Sequence, residues 1–89
     1  MSAAGGWTVY ILECADGSLY TGVARDLDRR LRQHNGLLAG GPRYTSGRRP
    51  VQLRWAAPAA SRGAAQQREA AIKKLSPTAK WRLVAAGLR

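Results

Sequence analysis

Tyr10-Ile11-Leu12-Glu13-Cys14-Ala15-Asp16-Gly17-Ser18-Leu19-Tyr20-Thr21-Gly22 is the stretch on which the fold turns. Ala-Asp-Gly between Cys14 and Ser18 has the pattern of a three-residue hairpin loop, a type I turn closed by a glycine in the left-handed region. With that loop Cys14 pairs with Ser18, Leu12 lies opposite Tyr20, and Tyr10 lies opposite Gly22. Side chains alternate along a strand and cross-strand partners share a face, so both tyrosines emerge on one side as diagonal neighbours, roughly 7–8 Å apart. Gly22 leaves a hollow beside the Tyr10 ring. A two-residue Asp-Gly turn is the alternative; it shifts the register by one and sends the two phenols to opposite faces.

Outward from the turn, Trp7 to Glu13 alternates Trp7, Val9, Ile11 against Thr8, Tyr10, Leu12, and Leu19 to Val23 returns alongside it. Both faces of this hairpin are largely apolar, so each needs cover. Asp26 is placed to cap a helix running to about Asn35, with Leu27 and Leu31 packed, Arg30 and His34 on the adjacent stripe, and Gly36 ending it. Residues 36–50 are polar, glycine-rich and basic, and read as a loop. Val51 to Ala56 supplies a third strand, and the Ala/Pro run Ala56 to Ala60 a short connection. Ser61 caps a second helix to about Leu75, whose inward stripe runs Ala65, Glu69, Ile72; a carboxylate there is unusual. Ser76-Pro77 opens a third helix that carries Trp81, Val84 and Leu88 inward and stops near Gly87. The order is ββαβαα in one domain over residues 1–89, with residues 1–6 loosely held. Trp55 and Trp81 are expected to fill a core that has no phenylalanine.

A formal charge of +10 and a pI near 11.4 on 89 residues call for a polyanionic partner, nucleic acid before an anionic membrane. Twelve arginines against three lysines favour forked contacts to phosphate. No stretch approaches the ~18 apolar residues that would cross a membrane, and the N-terminus lacks the pattern of a secretory signal. The single cysteine, Cys14, has no internal disulfide partner and reads as a small packed side chain in a reduced, cytoplasmic setting.

Two phenols, a guanidinium and an imidazole are groups that can grip and cleave a phosphodiester. That reaction builds negative charge on the phosphoryl and leaving oxygens, so it needs a cation, a donor fork and a base for water. Each residue also has an ordinary reading: strand tyrosines as packing, Arg30 and His34 as a solvated helix face, Glu69 with Arg68 and Lys73 as an ion-paired one. Arg43, Tyr44, Arg48 and Arg49, joined by Arg25 and Lys73, are candidate nucleic-acid contacts, since cations interleaved with an aromatic suit a phosphate backbone and its bases.

Thr8-Val9-Tyr10, Tyr20-Thr21-Gly22, Arg30, His34 and Glu69, in that order, resemble the GIY-YIG nuclease superfamily. The small stand-alone bacterial members are similar through Arg29-Arg30-Leu31, His34-Asn35, Arg49-Pro50, Arg68-Glu69 and Lys73-Lys74-Leu75, and the similarity spans Trp7 to Leu83. The resemblance implies an α+β fold with a three-stranded antiparallel sheet flanked by helices. It implies a metal-dependent endonuclease that hydrolyses one DNA strand at a time with a single Mg²⁺ or Mn²⁺. By position, Tyr10, Tyr20, Arg30 and His34 match the catalytic residues and Glu69 the metal ligand. Threonine stands at position 8 where the motif has glycine, and no asparagine matches the one many members carry near the C-terminal end; Asn35 is the only asparagine and lies on the first helix.

On this reading Arg30 stabilises the phosphorus, Glu69 holds the metal weakly as its sole protein ligand, and His34 and Tyr20 orient phosphate and water. Tyr10 deprotonates the water or relays its proton. A phenol near pKa 10 must fall by about 3 units to be half ionised at neutral pH, whereas histidine starts near 6.5; the metal and Arg30 are expected to lower Tyr10. Cleavage is expected on DNA rather than RNA, and by structure rather than sequence, because no sequence-reading helix is evident. A nucleic-acid binder without turnover and a protein-recruited interaction module are the competing functions.

Overall fold

The computed structural model describes residues 6–87. Two strands, β1 (Trp7–Glu13) and β2 (Leu19–Ala24), lead into α1 (Leu27–His34) and the single-turn α2 (Arg43–Ser46). Then come β3 (Gln52–Ala59), α3 (Arg62–Lys73) and α4 (Pro77–Gly87). The strands form one antiparallel sheet in the order β2-β1-β3. At its hairpin the chain takes the three-residue loop: Gly17 sits at φ 84°, and the Cys14 N–H donates to the Ser18 carbonyl at 2.9 Å. Tyr10 consequently faces Gly22, and Leu12 faces Tyr20, which excludes the two-residue turn. Asp16 stiffens the loop by accepting from the Ser18 N–H at 3.0 Å and hydroxyl at 2.6 Å.

β1 is the central strand and is covered on both sides. Val9 and Ile11 pack with Ala65 and Ile72 of α3 and Val84 of α4. Tyr10 and Leu12, pointing the other way, pack with Cys14, Ala24 and Val51 under Leu27 and Leu31 of α1. Each fully buried aliphatic side chain contributes about 1.5–3 kcal/mol relative to exposure, so the sheet is held from two directions. The helix starts are capped as their sequences require. Asp26 accepts from the Arg29 N–H at 3.0 Å, Ser61 from the Ala64 N–H at 3.1 Å, and Ser76 from the Ala79 N–H at 3.2 Å. Gly36, at φ 79°, turns the chain out of α1.

Three expectations need correction. Residues 36–50 are not loop throughout: Pro42, with φ fixed near −65°, starts the turn Arg43–Ser46, and Thr45 within it is fully buried. The Ala/Pro run is strand rather than connection, because β3 continues to Ala59. β3 lies at the sheet edge, where one side has no ladder to break, and Pro58 opposite Thr8 is tolerated there. Trp81 is not core. It stays 39% exposed beside the hairpin tip, while α4 turns Leu83 and Val84 inward; Trp55 is half-buried against the Val9/Ile11 cluster. Leu88 and residues 1–5 lie outside the described residues. Among those described, no helix is long and apolar enough to cross a membrane.

Candidate active site

Tyr10 leaves the middle of β1 and lies across β2, over Gly22. A Cβ on Gly22 would come within 2.5 Å of the phenolic oxygen, so the hollow is filled by the hydroxyl end of Tyr10 itself. The last residue of α1, His34, is fully buried against it, and the Tyr10 hydroxyl and His34 Nε2 are 2.8 Å apart. On its other side His34 Nδ1 meets Thr45 Oγ1 at 2.9 Å, and the Thr45 hydroxyl donates to the Pro42 carbonyl at 3.3 Å. A carbonyl only accepts; with the single Thr45 proton given to it, Thr45 accepts from His34 Nδ1–H, which puts the proton of neutral His34 on Nδ1 and makes Nε2 the acceptor of the Tyr10 hydroxyl, whereas the same proton given to Nδ1 reverses both roles.

Burial dominates the acid–base character of both groups. It pushes Tyr10 up to about 12, with Tyr20 and the Glu69 carboxylate adding to the rise and the Arg30 guanidinium opposing it. His34 is lowered to about 4 by burial and by the positive charges of Arg30 and Arg49. Arg30 lowers Tyr10 as expected, but in the free protein burial outweighs it: Tyr10 rests as a phenol, and His34 as a neutral imidazole.

Around this pair the aromatic rings form a continuous wall. Tyr20 stands 6.5 Å from Tyr10, 5.0 Å from His34 and 5.6 Å from Tyr44, centroid to centroid. Among the described residues the Tyr20 hydroxyl has no protein hydrogen-bond partner, which leaves it free for a ligand. Arg30, one turn before His34, is half-buried; its Nη1 donates to Gln33 Oε1 at 2.9 Å and to the Gly40 carbonyl at 3.2 Å. Tyr10, Tyr20, Arg30 and His34 are thus brought together on one face of the sheet.

Glu69 arrives from elsewhere. Its helix packs on the opposite face through Ala65 and Ile72, yet its charge reaches Tyr10, and its carboxylate pairs with Lys73 at 3.2 Å. The side chain is 22% exposed, so water has access. Among the described residues no cluster of three His, Cys, Asp or Glu could cage a metal. A lone oxygen donor open to water fits a hard divalent ion that keeps most of its hydration shell, and Glu69 is the residue that would hold it.

The basic set divides by what already engages it. Arg48 is largely occupied: its Nε donates to Asp16 at 3.0 Å, its Nη1 to the Tyr44 carbonyl at 2.7 Å, and it stacks on the Tyr44 ring at 4.0 Å. Arg49 Nε donates to the His34 carbonyl at 2.7 Å and so closes the end of α1. Arg25 lies over Trp7 at 5.6 Å, away from the tyrosine face, and Lys73 is tied to Glu69. Arg43 and Tyr44 are exposed beside the aromatic wall. Asn35 is committed to structure, bonding Val51 through both its amide oxygen and its amide nitrogen.

Thr45 is the site residue that sequence reasoning missed. Its one signal is Pro42, which starts a helical turn and so fixes which way Thr45 points.

A family model described as the GIY-YIG catalytic domain matches residues 6–82. The chain is 51% identical over 80 residues to a UPF0213 protein of Desulfotalea psychrophila, covering 90% of this chain and 72% of that one. It is 49% identical over 78 residues to a UPF0213 protein of Natronomonas pharaonis, covering 86% and 88%. The solution structure of a UPF0213 protein from Bacillus halodurans superposes with a TM-score of 0.58 at 40% identity, covering 90% of this chain and 83% of that one.

Proposed function

The chain belongs to the family defined by the GIY-YIG catalytic domain, and from that premise we propose that it is a divalent-metal-dependent endonuclease hydrolysing phosphodiester bonds in DNA. The observation that carries this reading is the buried Tyr10–His34–Thr45 chain beside Arg30. A packing tyrosine has no need of a desolvated histidine whose free lone pair faces its hydroxyl.

Water would attack phosphorus as its proton passes to the Tyr10 oxygen and the Tyr10 proton to His34 Nε2, while the phosphorus–oxygen bond to the leaving sugar oxygen breaks and that oxygen takes a proton from solvent water. A transfer of this kind never requires a free phenolate, which a group held near 12 could not supply at neutral pH. The negative charge of the bound phosphodiester favours the imidazolium that results. Thr45 would hold the proton of neutral His34 on Nδ1, so that Nε2 is open to the proton from Tyr10. Arg30 would place its guanidinium fork on the non-bridging oxygens, where charge develops, and the Tyr20 hydroxyl would fix the phosphate or the attacking water. When bound at Glu69, Mg²⁺ or Mn²⁺ supplies Lewis-acid stabilisation of that charge. Arg43 and Tyr44 are the exposed groups best placed to contact the strand, and Arg48 braces Tyr44 from behind.

A second reading is a nucleic-acid binder of the same fold without turnover, supported by Lys73 holding Glu69 and by the structural commitment of Asn35. Nicking assays separate the two. Wild-type protein with Mg²⁺ or Mn²⁺ should nick plasmid or oligonucleotide DNA, and Glu69→Gln should lose that activity while still binding DNA. Cleavage that ignores Glu69→Gln would contradict the proposal.

A further inference from the structure

Gly36-Leu37-Leu38-Ala39-Gly40-Gly41 joins α1 to α2 and carries the most exposed large apolar side chain among the described residues, Leu37 at 74%, followed directly by Leu38 at 40%. Neither leucine belongs to either buried cluster. Their backbone is nevertheless fixed. The N–H groups of Leu37 and Leu38 both donate to the Arg32 carbonyl, at 2.8 and 3.3 Å. Gln33 Nε2 donates to the Ala39 carbonyl at 3.1 Å, and Arg30 Nη1 to the Gly40 carbonyl at 3.2 Å. Gly36 and Gly40, at φ 79° and 100°, turn the chain into and out of the tip. Two bare leucines are thus mounted on the helix that carries Arg30 and His34.

We propose that the Leu37–Leu38 tip is an apolar wedge that enters an opened base step and directs the enzyme to nicked or branched DNA; this rests on the nuclease reading and names its substrate class. The chemistry of the surroundings selects the partner. The segment lies against two guanidiniums, Arg30 donating to the Gly40 carbonyl and Arg49 packed on Gly36 and Gly41, and Arg43 just after it is exposed; such a rim attracts phosphate. Leucines offer nothing to phosphate or sugar, and gain only by leaving water for the base stack. Apolar side chains inserted between base steps are an established means of opening duplexes, and the unstacking is least costly where the stack is already broken. Arg30, which would grip the scissile phosphate, also holds Gly40, so the wedge and the cleavage site share one mount.

The test uses chelator-treated buffer, so that cleavage plays no part. Intact, nicked and three-way-branched oligonucleotides carry 2-aminopurine at the discontinuity or its counterpart. Wild-type protein should bind the nicked and branched forms about tenfold more tightly than intact duplex, the scale of one cheaper unstacking, with a rise in 2-aminopurine fluorescence. Leu37→Ser/Leu38→Ser should bind intact duplex with unchanged affinity and salt dependence, yet lose both the preference and the fluorescence rise; Leu37→Phe should keep them. Wild-type indifference to the discontinuity, or a serine variant that matches wild type on every DNA, would overturn the proposal, the latter pointing to a protein partner for the leucines. A wild-type protein that cuts nothing with metal, yet keeps the preference, sinks the nuclease reading and upholds the wedge.

Discussion

Val9 and Ile11 on one side of β1, and Tyr10 and Leu12 on the other, are chain neighbours with almost no exposed surface, but they are buried in different company. The first pair meets Ala65, Ile72 and Val84, a contact of hydrocarbons alone. The second shares its side with fully buried His34 and Thr45, whose polar atoms have to be matched one by one. An unsatisfied buried donor or acceptor costs about 1–3 kcal/mol, and among the described residues no buried side-chain nitrogen or oxygen lacks a partner. One side of the sheet supplies stability. The other uses part of it to hold a phenol and an imidazole in a single arrangement.

The sharpest way to break this contrast is to mutate adjacent residues on opposite sides. Tyr10→Phe should lower the cleavage rate by about 10²–10⁴-fold, the range for a positioned acid–base group, with only a modest loss of stability. Ile11→Ala should do the reverse: about 2–5 kcal/mol of stability lost in a urea titration, and an unchanged rate per folded molecule. Equal effects of the two substitutions on rate would erase the distinction.

Gly22→Ala tests the contact that aims Tyr10. The new methyl group meets the phenolic oxygen, so the ring must move off His34; about 1–3 kcal/mol of overpacking strain is expected, together with a rate approaching that of Tyr10→Phe. Thr45→Val keeps the shape but removes the acceptor for Nδ1–H. The expected loss is about tenfold in rate, equivalent to one hydrogen bond of ~1.4 kcal/mol, with a shifted pH profile, and Thr45→Ser should recover it. A tenfold loss that serine does not recover would mean that Thr45 acts through packing.

Much of this was legible before any coordinates. The Asp-Gly turn and the alternation of β1 dictate the tyrosine register, and Asp26, Ser61 and Ser76 mark their helix starts, because turns and caps are local chemistry. Thr45 was hidden because its partner lies eleven residues away and meets it only once α2 folds onto the end of α1. The Ala/Pro stretch was misread because residues of low strand propensity are tolerated at an edge, and the edge is a property of the whole sheet. Trp81 was misplaced because Leu83 and Val84 set the rotation of α4. The depth of Tyr10 was missed for a similar reason: alternation says which side a phenol faces, not how completely α1 removes it from water.

The proposed proton transfer depends on His34 being a neutral acceptor for the Tyr10 proton. Folded His34 titrates near 4 against an ordinary 6.5, so between those values the unfolded chain binds more protons. His34 therefore contributes stability that is fully present above 6.5 and is lost as the pH falls through 4, a slope that His34→Gln should remove. The most direct measurement is the ¹⁵N NMR titration of the His34 imidazole in the free protein. The ring should stay neutral across the physiological range, protonated on Nδ1 with Nε2 accepting a hydrogen bond, with no imidazolium until the pH approaches 4. A ring protonated on Nε2, or one that charges at an ordinary histidine pKa, would contradict it.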